Sequence, residues 1–178
     1  VLGCPPQGDD DDAPPDSVTF WEGSLVAQKP DGSPLGPEGS CLVRRALSPA
    51  DEVIGERRVE RADGDDVAVD LVFAITVVPV DATFRIQTQD ADGIMEGFGA
   101  LSAGEAWEWT QWESTLEYTT GDLVGASRRI EGEISAGALS ITEELRGVDG
   151  DLEVISVREL SPMLAADYDQ ALDALLGF

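Results

Sequence analysis

From Val124 to Arg146 apolar and polar residues alternate with a period of two, interrupted only at Ser135-Ala136-Gly137. Val124, Ala126, Arg128, Ile130, Gly132 and Ile134 share one side of the first run, and Leu139, Ile141, Glu143 and Leu145 share one side of the second. This period is that of a β-strand with one buried face and one wet face. A joint so short leaves room only for a hairpin turn, so the two strands are antiparallel neighbours. Gly147-Val148-Asp149-Gly150 repeats the device before another β-type segment that runs to Leu160. The stretch from Ala106 to Leu160 therefore commits the chain to sequential antiparallel strands.

Two charges stand on the apolar sides of that hairpin. A turn at Ala136-Gly137 sets Glu143 opposite Ile130 and Leu145 opposite Arg128. Arg128 and Glu143 become diagonal neighbours, ~7–8 Å apart at the backbone. A lone buried charge costs several kcal/mol, so an inward pair is expected to be hydrogen-bonded. Just upstream, Trp107 and Trp109 have one parity, and Trp112, Ser114, Leu116 and Tyr118 the other. A bulge near Thr110-Gln111 would bring both sets to one face. Trp109 and Trp112 are then expected inside, and Trp107, Trp109, Trp112, Tyr118, Arg128 and Glu143 are the candidate ligand-binding residues. Ordinary core packing is the competing role for the aromatics.

Elsewhere the same rhythm recurs. Val18 to Gln28 forms a first strand with Trp21 and Leu25 as core candidates, and Cys41 to Leu47 a second. Ser48-Pro49-Ala50-Asp51-Glu52 suits a single helical turn with Pro at its start. Glu52 to Ala62 alternates through Ile54, Glu56, Arg58 and Glu60, which predicts a polar strand at an edge or rim. Val67 to Val78 is the most apolar segment and is expected to be covered on both sides towards its end. Thr83 to Thr88 and Ile94 to Leu101 follow. Asp-Gly pairs at Asp31, Asp63, Asp92 and Asp149 separate strand-like segments. Asp90-x-Asp92-Gly93 echoes part of a calcium loop but lacks the ligand pattern that closes one, so all four pairs read as turns. After Ser161-Pro162 the period changes to that of a helix, with Met163, Leu164, Tyr168, Ala171, Leu172, Leu175 and Leu176 on one stripe. This predicts an amphipathic helix over 162–176 that covers a sheet or closes a barrel end.

Eight to ten such strands in sequence predict an all-β fold, a single antiparallel up-and-down barrel with a C-terminal helix. A two-layer β-sandwich is the alternative. The 178 residues suit one domain over 18–178, preceded by a tether over 1–17.

Composition narrows function by exclusion. With 36 acidic and 11 basic residues the formal charge is −25. Such a surface repels nucleic acid and anionic headgroups, and keeps copies of the chain apart unless cations screen it. No histidine is present, which removes imidazole acid–base chemistry and histidine metal sites. Two cysteines, Cys4 and Cys41, do not make a zinc site. An enzyme would have to use carboxylates, Tyr118, Tyr168 or an oxygen-bound metal. The pairs Glu131/Glu133 and Glu143/Glu144 are the candidates for it, but the members of an acid–base pair must face each other across a substrate, and Glu131 and Glu133 fall on the wet face of their strand. The expectation is a protein that is not an enzyme and has no cofactor and no metal.

Val1-Leu2-Gly3-Cys4, followed by Pro5-Pro6-Gln7-Gly8 and Asp9 to Asp12, resembles the lipobox and tether of bacterial lipoproteins. The resemblance implies that Cys4 becomes a lipidated N-terminus, with Val1 to Gly3 the tail of a cleaved signal sequence. It further implies an exported protein held in a bilayer of the cell envelope, at the outer membrane. The acidic tether cannot offset its ordering entropy by burial. With Cys4 acylated, Cys41 is a lone thiol; without acylation a Cys4–Cys41 disulfide becomes possible. The order of elements from Trp21 to the terminal helix, with Trp21-Glu22-Gly23 early in it, resembles calycin or lipocalin-like barrels. That family often encloses a small apolar molecule. The resemblances together imply a lipid-anchored envelope protein whose barrel binds an apolar ligand. The alternative is a structural or protein-interaction module of the envelope with a solid barrel core.

Overall fold

The alternating segments become strands almost residue for residue. A computed structural model describes residues 13–103 and 106–177. Ten strands follow one another among the described residues: β1 (Ser17–Gln28), β2 (Gly39–Ser48), β3 (Val53–Ala62), β4 (Val69–Val78), β5 (Thr83–Gln89), β6 (Ile94–Ala103), β7 (Gln111–Tyr118), β8 (Ser127–Ser135), β9 (Ala138–Arg146) and β10 (Leu152–Met163). Each pairs antiparallel with its neighbours in sequence, and β1 pairs with β10. The sheet is a closed up-and-down barrel, and the sandwich alternative does not form. Cys4 and the acidic run to Asp12 lie outside the described residues.

Local chemistry explains the turns. Ala136 and Gly137 both have positive φ, 51° and 83°, as a two-residue hairpin of this twist requires. The resulting register sets Ile130 opposite Glu143 and Arg128 opposite Leu145, as the sequence predicts. Pro49–Asp51 forms the single helical turn between β2 and β3. The four Asp-Gly pairs fall in the β1–β2, β3–β4, β5–β6 and β9–β10 connections, all at one end of the barrel.

Three expectations are corrected. The strand β3 is not at an edge, because closure gives it β2 and β4 as neighbours, and its Ile54, Glu56, Arg58 and Glu60 face is buried inside. In β4 only Leu71, Phe73, Ile75 and Val77 are buried; Val72 on the other face is 60% exposed, and Val67 precedes the strand. Among the described residues, that outer face is left exposed. The terminal helix α1 (Ala165–Leu176) starts later than the apolar stripe suggests, because Ser161, Pro162 and Met163 stay paired with Glu22, Trp21 and Phe20 of β1.

The helix covers the outer face of β1–β3. Tyr168 and Leu175 are buried there with Leu42 and Val59, and the Tyr168 ring lies 4.8 Å from that of Phe20. Each such fully buried side chain contributes about 1.5–3 kcal/mol. Gly177 ends the helix in the left-handed conformation, its N–H bonded to Asp173 O at 3.0 Å. The main core is the barrel interior, from Trp21 and Val43 through Phe73, Phe84 and Met95 to Leu116, Leu139 and Leu160.

Candidate functional site

Side chains fill the barrel, and a chain of charges runs through the filling. At the end that holds the β8–β9 hairpin sit three indoles. Trp21 is 3% exposed, Trp109 2% and Trp112 6%. Trp21 Nε1 donates to Gly137 O at 2.9 Å and Trp109 Nε1 to Ala106 O at 2.7 Å. Trp109 and Trp112 both point inward, but not through a bulge at Thr110-Gln111. Residues 106–108 form a turn, Trp109 has φ 34°, and the register irregularity lies opposite, between Leu101 and Ala103 of β6. Trp107 is half-buried against the same core.

Arg45 of β2 is enclosed by these rings. Its guanidinium carbon lies 4.3 Å from the Trp112 ring centroid, 5.6 Å from Trp109 and 5.9 Å from Trp21. Each cation–π contact of this kind is worth about 0.5–2 kcal/mol when desolvated. From Arg45 the charges alternate inward. Its Nε and Nη2 donate to Glu56 Oε2 at 3.0 and 2.6 Å. Arg58 donates to Glu56 Oε1 at 3.0 Å and, from Nη1, to Glu143 Oε2 at 3.3 Å. Arg128 Nη1 donates to Glu143 Oε1 at 3.0 Å, which is the diagonal pair expected from the hairpin. Arg128 Nη2 then reaches Tyr118 OH at 2.9 Å and Asp90 Oδ2 at 3.1 Å, and Tyr118 OH donates to the same oxygen at 2.6 Å. A branch leaves Glu143 through Arg158 Nη1 at 3.9 Å to Glu60, which Arg158 grips with Nε and Nη2. The buried thiol of Cys41 closes the branch, 3.7 Å from Glu60 Oε1.

Among the described residues, then, Arg45, Arg58, Arg128 and Arg158 face Glu56, Glu60, Glu143 and Asp90 inside the barrel. Electrostatics follow from this pairing. Burial alone would raise the Glu143 carboxyl, but Arg158, Arg128 and Arg58 more than offset it and hold it below its ordinary value. Glu56 is likewise lowered against its burial by Arg45 and Arg58. Burial, with the Asp90 hydrogen bond, pushes the Tyr118 phenol up to about 12. Burial and the neighbouring Glu60 push the Cys41 thiol up to about 12. Charges fixed in this way brace the wall. Every one of these carboxylates accepts from a guanidinium.

The sequence candidates thus come together in part. Tyr118, Arg128 and Glu143 are one cluster, Trp109 and Trp112 another, and Trp107 borders the second. Arg45, Glu56, Arg58, Glu60, Asp90 and Arg158 were not among the candidates. Parity would have found three of them, since Glu56, Arg58 and Glu60 alternate with β3's outward residues just as Arg128 and Glu143 do in their strands. Concavities of about 610, 460 and 270 Å³ lie against the outer wall: beside α1, on β4–β6 and on β7–β9. No group of three or more metal-ligating side chains occurs among the described residues. Compared with protein-family models and with curated proteins, the chain matches none, so its function is read from its own residues.

Proposed function

We propose that this chain is a non-catalytic, lipid-anchored protein of the bacterial envelope whose solid barrel acts as a structural or protein-interaction module. The observation that carries the reading is the interior itself. Its middle is occupied by paired charges from β2, β3, β8, β9 and β10, and one end by three indoles around Arg45. A pocket for an apolar small molecule needs apolar walls and free volume there. A barrel braced from within instead offers its outer wall to other proteins. The anchor rests on the lipobox resemblance at Cys4, and two or more acyl chains on that residue would hold the protein stably in a bilayer.

Native protein extracted from membranes tests both parts. Mass spectrometry should find an acylated Cys4, and Cys4→Ser should release the protein from the membrane fraction. Titration with fatty acids and other apolar compounds should leave the emission of the interior tryptophans unchanged. Saturable quenching would return the apolar-ligand reading, and native soluble protein that begins at Val1 would remove the anchor.

A further inference from the structure

Carboxylates directly opposite one another on paired strands repel, and between β7 and β8 the chain resolves such a pair itself. Glu113 stands opposite Glu131, and Arg129 reaches both, at 3.3 and 2.5 Å. Between β6 and β7 the same arrangement recurs without a cation. Glu96 stands directly opposite Glu117, and both are exposed. No ion pair among the described residues includes either of them. The outward arginines nearby are engaged elsewhere. Arg57 is paired with Asp70 at 2.7 Å, and Arg85, diagonal to Glu96, lies 5.5 Å from the centroid of the Phe98 ring.

The two carboxylates border a groove. Ala74, Gln87, Glu96 and Glu117 form one row of outward side chains across β4–β7, and Arg85 and Phe98 stand in the next. The concavity of about 460 Å³ on β4–β6 is lined by both rows and reaches Glu117. Small Ala74 leaves its floor low at one end. At its side Phe98 is 68% exposed, and Val72 and Val78 of β4 are 60% and 39% exposed on the same face. An open sheet face thus joins a large aromatic surface to two carboxylates, of which Arg85 can offset only one.

We infer that this groove docks a basic partner protein, which places an arginine guanidinium between Glu96 and Glu117 and rests the stem of that side chain on Phe98. The chain's own Arg129 is the template, since it answers the facing pair Glu113–Glu131 in the same way. A guanidinium suits the place because its planar fork donates to two carboxylates at once, and its apolar stem packs on an aromatic ring. Charge selects the class of occupant. A chain of formal charge −25 draws a cationic surface towards it and repels an anionic one, a second copy of itself included. The inference rests on the reading of the outer wall as an interaction surface, and specifies the chemistry of its partner.

Amide chemical shifts of the isotope-labelled full chain carrying Cys4→Ser test it at roughly 0.05 M NaCl. The probes are the capped peptide Ser-Val-Arg-Val-Ser and its citrulline counterpart, which keeps the shape of the arginine and lacks its charge. The expected result is saturable binding of the arginine peptide, with shifts centred on Gln87, Glu96, Phe98 and Glu117, and binding of the citrulline peptide weaker by roughly tenfold. Glu117→Gln and Phe98→Ala should each weaken the arginine peptide by roughly threefold or more. Gln87→Arg, which brings the chain's own guanidinium beside Glu96, should block it. Glu133→Gln, an outward carboxylate away from the groove, should leave it unchanged. All four positions are exposed, and Glu117→Gln should melt no lower than its parent because it removes a repulsion, so loss of binding is separable from misfolding. Equal binding of the two peptides, or equal effects of Glu117→Gln and Glu133→Gln, would show diffuse attraction to an acidic surface and overturn the inference. Saturable binding elsewhere on the wall also overturns it, yet leaves the interaction-module reading standing. That reading fails by its own tests, on ligand quenching and Cys4 acylation.

Discussion

Glu143 is the hub of the interior charges, and its removal should be the costliest single polar change in the barrel. Its carboxylate accepts from Arg128 at 3.0 Å and from Arg58 at 3.3 Å, with Arg158 at 3.9 Å, and its side chain is 7% exposed. Glu143→Gln keeps the shape of the side chain and deletes the charge. Three guanidinia then share a site short of one anion, and breaking a buried pair from one side costs about 3–5 kcal/mol. Arg128→Met is the informative comparison. Arg128 stands nearer the barrel mouth, 18% exposed, and its loss leaves Glu143 with Arg58 and Arg158 and leaves Asp90 with Tyr118. That change should cost only ~1–3 kcal/mol, the price of a charged hydrogen bond with its partners still satisfied. Urea melts of the two variants and the double variant give the three free energies, and the sites are close enough to couple. The double variant should cost less than the sum of the singles. Arg128→Met proving as costly as Glu143→Gln, or strict additivity, would refute the idea that Glu143 is shared among three arginines.

Acid should unfold the barrel through the same groups. The Glu56 and Glu143 carboxyls are lowered from 4.5 in the folded state, so the stability they contribute is complete above that value and is lost as pH falls through their lower folded values. The urea midpoint should therefore drop on acidification below about pH 4.5, and less so in Glu143→Gln. The Cys41 thiol, 1% exposed and pushed up to about 12, should resist maleimide in folded Cys4→Ser protein at about pH 8 and react on unfolding. Gly132→Ala should destabilise by ~1–3 kcal/mol, because its Cβ would lie 2.1 Å from the Trp112 ring, and a lowered melting temperature with altered near-ultraviolet dichroism checks this.

Much of the barrel was legible from local rules. Alternation fixes which residues share a face, and turn chemistry fixes where a strand must reverse. Those two facts were enough to pair Arg128 with Glu143 and to bring Trp109 and Trp112 to one side. The aromatic segment shows their limit, since the chain reached that outcome by a left-handed Trp109 and an irregularity in β6 instead of a local bulge.

What only the tertiary structure decided is which side of each face is the inside, and who meets across it. Parity puts Glu56, Arg58 and Glu60 together, but three charges in five residues look like a wet rim until β1 closes on β10 and removes every edge. Their burial is tolerable only because counter-charges arrive from far along the chain: Arg58 meets Glu143 across 85 residues and Glu60 meets Arg158 across 98. No local period records such a meeting. Closure likewise decided that α1 lies outside on β1–β3, and that the neighbouring wall, with Gly55, Val72 and Phe98, stays open. Periodicity is a property of neighbours in sequence, whereas the stability of a buried charge depends on neighbours in space.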